Sequence, residues 1–176
     1  MFHHSVVTSG HTTNLIQIKI DLNSPFFLFI RMELLNPTQK LIYSLAQRVF
    51  ECVGPGHNEQ IYQKALMYEL NIQGFNVDME YHLDVVYIDT LGNKHHLVSE
   101  RIDLFIHKNN EKNLEKNIIV ELKAVAKNMS NIELTQVNKY LKELGKQNIE
   151  IEYGILINFP QPSTKSCNDK VEFIVV

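Results

Sequence analysis

From residue 36 onward the apolar positions recur first at helical spacing, then at every second residue, then at helical spacing again. Asn36-Pro37-Thr38-Gln39 reads as a helix start, with a capping Asn, Pro at the first helical position and Gln three residues after the cap. Leu41, Ile42, Leu45, Ala46, Val49, Phe50 and Val53 then mark one face, and Gly54-Pro55-Gly56 ends the helix. A second helix is predicted from about Asn58 to Ile72, stopping at Gly74. From Phe75 the period becomes two: Val77, Met79 and Tyr81 alternate with Asp78, Glu80 and His82, and Val85 to Ile88 extends the pattern after Asp84. Thr90-Leu91-Gly92-Asn93 reads as a hairpin turn. Leu97–Ile106 and Ile118–Val125 are the next strands, joined by a polar loop from His107 to Asn117 that reads as a solvated hairpin tip. Ser130-Asn131-Ile132-Glu133 is a capping box opening a helix along Leu134, Val137, Leu141 and Leu144, with Gly145 expected to close it. Ile149–Phe159 and Val171–Val176 are the last two strands. The predicted order, α-α-β-β-β-β-α-β-β, describes an α/β or α+β domain built on one sheet.

Residues 1–31 follow a different pattern. They hold only three formal charges, Lys19, Asp21 and Arg31. Leu15 to Leu22 alternates apolar and polar after its first residue, Asn23-Ser24-Pro25 is a turn signal, and Phe26 to Ile30 is a short apolar run. The stretch reads as an N-terminal extension, either a β-hairpin or the product of a start codon placed too early. The main domain is expected over 32–176.

Length and composition then bound the possibilities. The chain has 176 residues, 44% of them apolar, which suits one domain and is too apolar for a disordered chain. Cys52 and Cys167 lie far apart, in no CxxC motif, and read as two reduced thiols in a reducing compartment. The longest apolar run near the N-terminus is five residues, whereas a spanning helix needs about 20. No membrane anchor or targeting segment is expected, and the predicted location is the cytoplasm, or the nucleus in a eukaryote. The net charge of −3 excludes binding to nucleic acid by bulk electrostatics. The eight histidines form no HxxxH or HExxH arrangement, so none stands out as a zinc ligand.

Two strands carry ionisable residues inside apolar runs. In Val120-Glu121-Leu122-Lys123-Ala124, Glu121 and Lys123 share one face and Val120, Leu122 and Ala124 the other. In Arg101-Ile102-Asp103-Leu104-Phe105-Ile106, Asp103 should face opposite to Ile102, Leu104 and Ile106. A simple hairpin pairing Ile106 with Ile118 sets Asp103 against Glu121. Two carboxylates there repel unless a cation lies between them or one is protonated. A hard divalent ion beside Lys123 would resolve the conflict. So would a plain surface pair between Glu121 and Lys123.

Five motifs in order carry a family resemblance. They are Gly56-His57-Asn58-Glu59-Gln60-Ile61-Tyr62, the Asp103 strand, Val120-Glu121-Leu122-Lys123-Ala124, a helix with Gln136-Val137-Asn138-Lys139-Tyr140, and Asn158-Phe159. From Met32 on the chain resembles the GxxExxY proteins, a branch of the PD-(D/E)XK nuclease superfamily with the restriction-endonuclease-like fold. That resemblance implies a central mixed β-sheet flanked by helices and a metal-dependent nuclease acting on phosphodiester bonds in DNA or RNA. It implies Mg²⁺ or Mn²⁺ held by Asp103, Glu121 and the Leu122 carbonyl. Lys123 would orient or activate the attacking water and offset phosphate charge. Glu59 would reach toward Lys123 or a second metal, and Gln136 and Tyr140 would match a QxxxY element that orients substrate. Catalysis would then fall to Lys123, Glu59, Asp103 and Glu121. The expected partner is nucleic acid, DNA before RNA, with no membrane. Two alternatives stand beside this: a non-catalytic module that keeps the fold and binds nucleic acid or protein, and a homodimer using the N-terminal hairpin as an edge strand. From Met32 on there are 15 basic and 19 acidic residues, so any nucleic-acid groove must be local.

Overall fold

The computed structural model describes residues 18–19, 34–127, 129–162 and 170–176. In chain order these form β1 (Ile18–Lys19), α1 (Pro37–Val53), α2 (Glu59–Ile72), β2 (Val77–Ile88), β3 (Lys94–Ile106), a 3-10 turn (Asn110–Lys112), β4 (Asn117–Lys123), α3 (Asn131–Lys146), β5 (Ile151–Asn158) and β6 (Glu172–Val175). One sheet joins all six strands in the order β1-β6-β5-β4-β3-β2. β4 and β5 run parallel, with α3 as their crossover, and every other pairing is antiparallel. The sheet is therefore mixed. The two residues of β1 pair with Ile174 and Val175. The expected turn at Asn23-Ser24-Pro25 and strand at Phe26–Ile30 lie outside the described residues, as does Cys167. Cys52 is a free, exposed thiol.

Helices cover both faces. Ile42, Ala46 and Val49 of α1 and Tyr62, Leu66 and Leu70 of α2 pack on Leu104, Ile106, Ile118, Val120, Leu122, Ile155, Ile157 and Phe173. Leu134, Val137, Tyr140 and Leu144 of α3 pack on Phe105, Ile119, Leu156 and Ile174 from the opposite side. Alternation along β4 thus sends Val120 and Leu122 under α1 and α2, leaving Glu121 and Lys123 for the α3 side. No helix among the described residues is long and apolar enough to cross a membrane.

The helix starts follow from their caps. Asn36 and Gln39 form a reciprocal capping box at α1, as do Ser130 and Glu133 at α3, and the Asn58 side chain accepts from the Ile61 amide at α2. The end of α3 differs from expectation. Gly145 lies inside the helix, which runs on to Lys146, because Asn148 takes the left-handed turn with φ 60°. The segment Val85–Ile88 is also no separate strand. It continues β2 through a bulge at Val85/Val86, beyond which pairing to β3 resumes from Val86–His96 to Ile88–Lys94. From Pro37 the observed order is therefore α-α-β-β-β-α-β-β. Gly154 in β5 lets α3 lie close on the sheet, since a Cβ there would collide with the Val137 side chain.

Candidate active site

The site begins where β3 and β4 part. Their ladder pairs Ile106 with Ile118, Phe105 with Ile119 and Leu104 with Val120, the register expected from the sequence. One step further, Asp103 Oδ2 accepts the Leu122 N–H at 2.7 Å. A side-chain carboxylate takes the place of a backbone carbonyl there, so the strands separate and open a cleft at the sheet end.

The β2–β3 ribbon turns over at the same point. Leu104 and Ile106 pack with α1 and α2, whereas Ile102 packs with Phe105 on the α3 side. Ile102 therefore does not share the face of Leu104 and Ile106, correcting the strict alternation expected around Asp103. The cause lies in the paired strand: Glu80 has φ 57°, a left-handed backbone unusual for a side chain of its size. The buried Gln63 of α2 holds this irregularity, donating to Glu80 Oε1 at 3.0 Å and to the Asp103 carbonyl at 2.7 Å.

Glu121 is 3% exposed. Its Oε1 accepts from Lys123 Nζ at 2.6 Å, while its Oε2 is buried without a cationic or amide donor, and the Asp103 carboxyl lies within hydrogen-bond reach of the Glu121 carboxyl. Burial pushes the Glu121 carboxyl up to about 7, and nearby Asp103 pushes it the same way against Lys123. Burial also raises Asp103, opposed by the Leu122 amide and Lys123. For Lys123, burial works against the charge, but Glu121, Glu59 and Asp103 together outweigh it and hold the ammonium above its ordinary value. Glu59, at the start of α2, lies 3.9 Å from Lys123, the outer limit of an ion pair. Burial raises its pKa as well, partly offset by Lys123 and the Ala124 amide. Asp103, Glu121, Lys123 and Glu59 thus meet at one place.

These four line a cleft of about 470 Å³ with Glu80, Glu100, Arg101, Gln136, Lys139 and Tyr140. Gln136 and Tyr140 are bonded to each other: Gln136 Nε2 donates to the Tyr140 hydroxyl at 2.7 Å, which donates to the Arg101 carbonyl at 3.2 Å. Burial pushes the Tyr140 phenol up to about 12, so it keeps its proton. Arg101 pairs with Glu80 at 3.0 Å and Lys139 with Glu100 at 2.7 Å. Glu80, Glu100, Arg101 and Gln63 escaped the sequence reading. The spacing of Gln63, one helical turn after Glu59, was its only signal.

Two residues of the first motif serve the fold. Gly56, at φ 99°, makes the turn into α2 and donates its N–H to Gln161 Oε1 at 2.7 Å. Tyr62 is fully buried, stacks on Phe159 with ring centroids 4.5 Å apart, and donates its hydroxyl to the Gly54 carbonyl. Buried Asn158 ties down the chain after Lys123 by accepting the Val125 N–H and donating to the Val125 carbonyl.

A profile of the PD-(D/E)XK nuclease superfamily matches residues 36–170. The chain belongs to the PD-(D/E)XK nuclease superfamily. Its mixed sheet between helical layers is the restriction-endonuclease-like α/β fold of that superfamily. Among solved structures, a crystal structure of SSO0001 is similar, with a TM-score of 0.39 and 19% sequence identity over 79% of this chain and 65% of that one. The nuclease-superfamily chain thus spans just under two thirds of the length of that protein. No match is found among curated proteins.

PD-(D/E)XK nucleases generally use divalent metals. Among the described residues, no three His, Cys, Asp or Glu side chains are arranged as a ready cage for one. The cleft instead offers Asp103 and Glu121, the latter with a buried oxygen that lacks a cationic or amide donor. Mg²⁺ takes oxygen ligands, keeps several waters and needs one or two carboxylates. An all-oxygen pair with a spare buried lone pair suits Mg²⁺ or Mn²⁺ and is a poor match for zinc.

Proposed function

We propose that this protein is a metal-dependent nuclease of the GxxExxY branch, hydrolysing phosphodiester bonds in DNA or RNA. One observation carries the reading: a carboxylate oxygen of Glu121 is buried without a cationic or amide donor, beside the Asp103 carboxyl and a half-buried lysine. Leaving such a group unpaired is costly, and a cation at the cleft removes the cost. Asp103, Glu121 and the Leu122 carbonyl would hold Mg²⁺ or Mn²⁺. When bound, the metal supplies Lewis-acid polarisation of a phosphate oxygen and a more acidic water.

The chain's own groups do the rest. Lys123 keeps its proton at neutral pH, so it stabilises negative charge growing on the phosphate and does not act as a free base. Glu59 stays within reach of that ammonium and helps hold it over the cleft. Asp103, fixed through one oxygen by the Leu122 amide, has its position set by β4 and not by a free rotamer. Gln136 and Tyr140 form one wall against which substrate rests. In this reading 32–176 is the nuclease domain and 1–31 an extension, of which Ile18–Lys19 adds an edge strand to the domain's sheet.

The test is cleavage of labelled single- and double-stranded DNA and RNA with Mg²⁺, with Mn²⁺ and with EDTA. Activity that needs the divalent ion and disappears in Asp103→Ala and Lys123→Ala, with circular dichroism unchanged, supports the reading. Activity surviving in EDTA or in either variant refutes it. Binding without cleavage under any condition identifies a non-catalytic module.

A further inference from the structure

Resting on the reading of the cleft as a nucleic-acid site, we propose that Arg101 and Lys139 bind the phosphates neighbouring the reacting one. Glu80 and Glu100 occupy those two cations until a polyanion displaces them, so the cleft selects polymer over mononucleotide.

Carboxylates outnumber cations in the cleft five to three, and each cation is already paired with an acid. A lone phosphate entering this cleft meets no free positive charge. The three pairs differ in how they are held. The Lys123 pair is sequestered, with side-chain exposures of 18% and 4%, whereas Arg101 and Lys139 are 64% and 45% exposed. Their acids Glu80 and Glu100 are 29% and 27% exposed, so both pairs are open to water on the cation side, where screening weakens them. Both cations line this one cleft, Arg101 from β3 and Lys139 from α3. A strand crossing the cleft brings neighbouring phosphates to both cations in one binding event. Each phosphate replaces one carboxylate as partner, with charge-assisted hydrogen bonds of the same kind. A polymer makes both exchanges in one binding event, and a mononucleotide makes one.

The guard acids give the proposal an unusual sign: removing negative charge at Glu80 or Glu100 strengthens binding. The experiment is fluorescence anisotropy of a fluorescein-labelled DNA oligonucleotide, single-stranded and duplex, in EDTA across a salt series, with unlabelled AMP as competitor. Glu80→Gln and Glu100→Gln are each expected to tighten binding about three- to fourfold, from the loss of one like charge some 5 Å from a phosphate. Arg101→Ala and Lys139→Ala are each expected to weaken it and to reduce the log–log salt slope by about 0.7–0.9. Arg101→Lys keeps the slope, and AMP competes poorly with the wild type. Unchanged affinity in both Gln variants, or an unchanged slope in both Ala variants, overturns the proposal. Metal-dependent cleavage with those unchanged constants leaves the nuclease reading standing and this one fallen. The expected shifts without any cleavage do the reverse, and no binding by any variant overturns this proposal while the cleavage assay decides the nuclease reading.

Discussion

Replacing Glu121 by glutamine separates the two forces acting on that carboxyl in the metal-free protein. Burial and Asp103 raise its pKa from 4.5 to about 7, even though Lys123 lies 2.6 Å away. Below pH 4.5 the group is neutral in both folded and unfolded chains, and it costs nothing. As pH rises the unfolded chain ionises first while the folded site keeps its proton. Stability therefore falls by about 1.4 kcal/mol per pH unit until the folded group also ionises. Above that point the penalty is constant, on the order of 3 kcal/mol. The amide of Glu121→Gln never ionises, so its stability lacks this fall. Lys123 retains Glu59 and Asp103 as neighbours in the variant. The assay is urea unfolding in EDTA from about pH 5 to about pH 8.5. Far-UV circular dichroism is the probe, because the chain has no Trp. The variant should be the more stable protein at the alkaline end, and its advantage should shrink as pH falls. A difference independent of pH, or a variant less stable at pH 8, would show that the Lys123 pair outweighs burial, and the electrostatic account of the site fails.

Four further outcomes are expected. Mn²⁺ should raise the wild-type Tm at pH 8 and leave Glu121→Gln unmoved, which differential scanning fluorimetry checks. Gly154→Ala should cost about 1–3 kcal/mol through collision with Val137, and Val137→Ala should recover part of it in a double-mutant cycle by urea unfolding. Tyr62→Phe removes the bond to the Gly54 carbonyl and strands one Gln161 contact, so unfolding should show a loss of about 1–2 kcal/mol. Ser130→Ala breaks the capping box of α3 and should lower stability by about 1 kcal/mol by the same measurement.

What the sequence made legible was local. Asn36 and Ser130 announced their helices because capping is chemistry between residues three apart. The Ile106–Ile118 register followed from a hairpin whose faces must bury their apolar residues, and it brought Asp103 to Glu121. The turnover of β2 and β3 was hidden, since a left-handed Glu80 has no signature of its own and is held by Gln63 from a helix. The continuity of β2 was hidden for a related reason: its last five residues, 84–88, are half-buried to exposed, so burial no longer imposes a strict alternation. Arg101, Glu80 and Glu100 read as ordinary solvent-facing charges on strands. Only the parting of β3 from β4 turns them into the wall of a cleft.

The position of β4 has a consequence for synthesis. Its antiparallel partner β3 lies just before it in sequence, so that hairpin closes early, whereas the parallel pairing to β5 waits for the whole α3 crossover. In the hairpin alone, Glu121 and Lys123 face water and ionise like any surface pair. Their burial arrives only when the α3 face of the sheet is covered. Because α3 packs on Leu156 of β5 as well as on β3 and β4, a ribosome-bound chain that has not yet made β5 leaves that face incompletely covered. Chains stopped before Ile151 should therefore lack the titration near pH 7, which makes the raised carboxyl a property of the finished sheet.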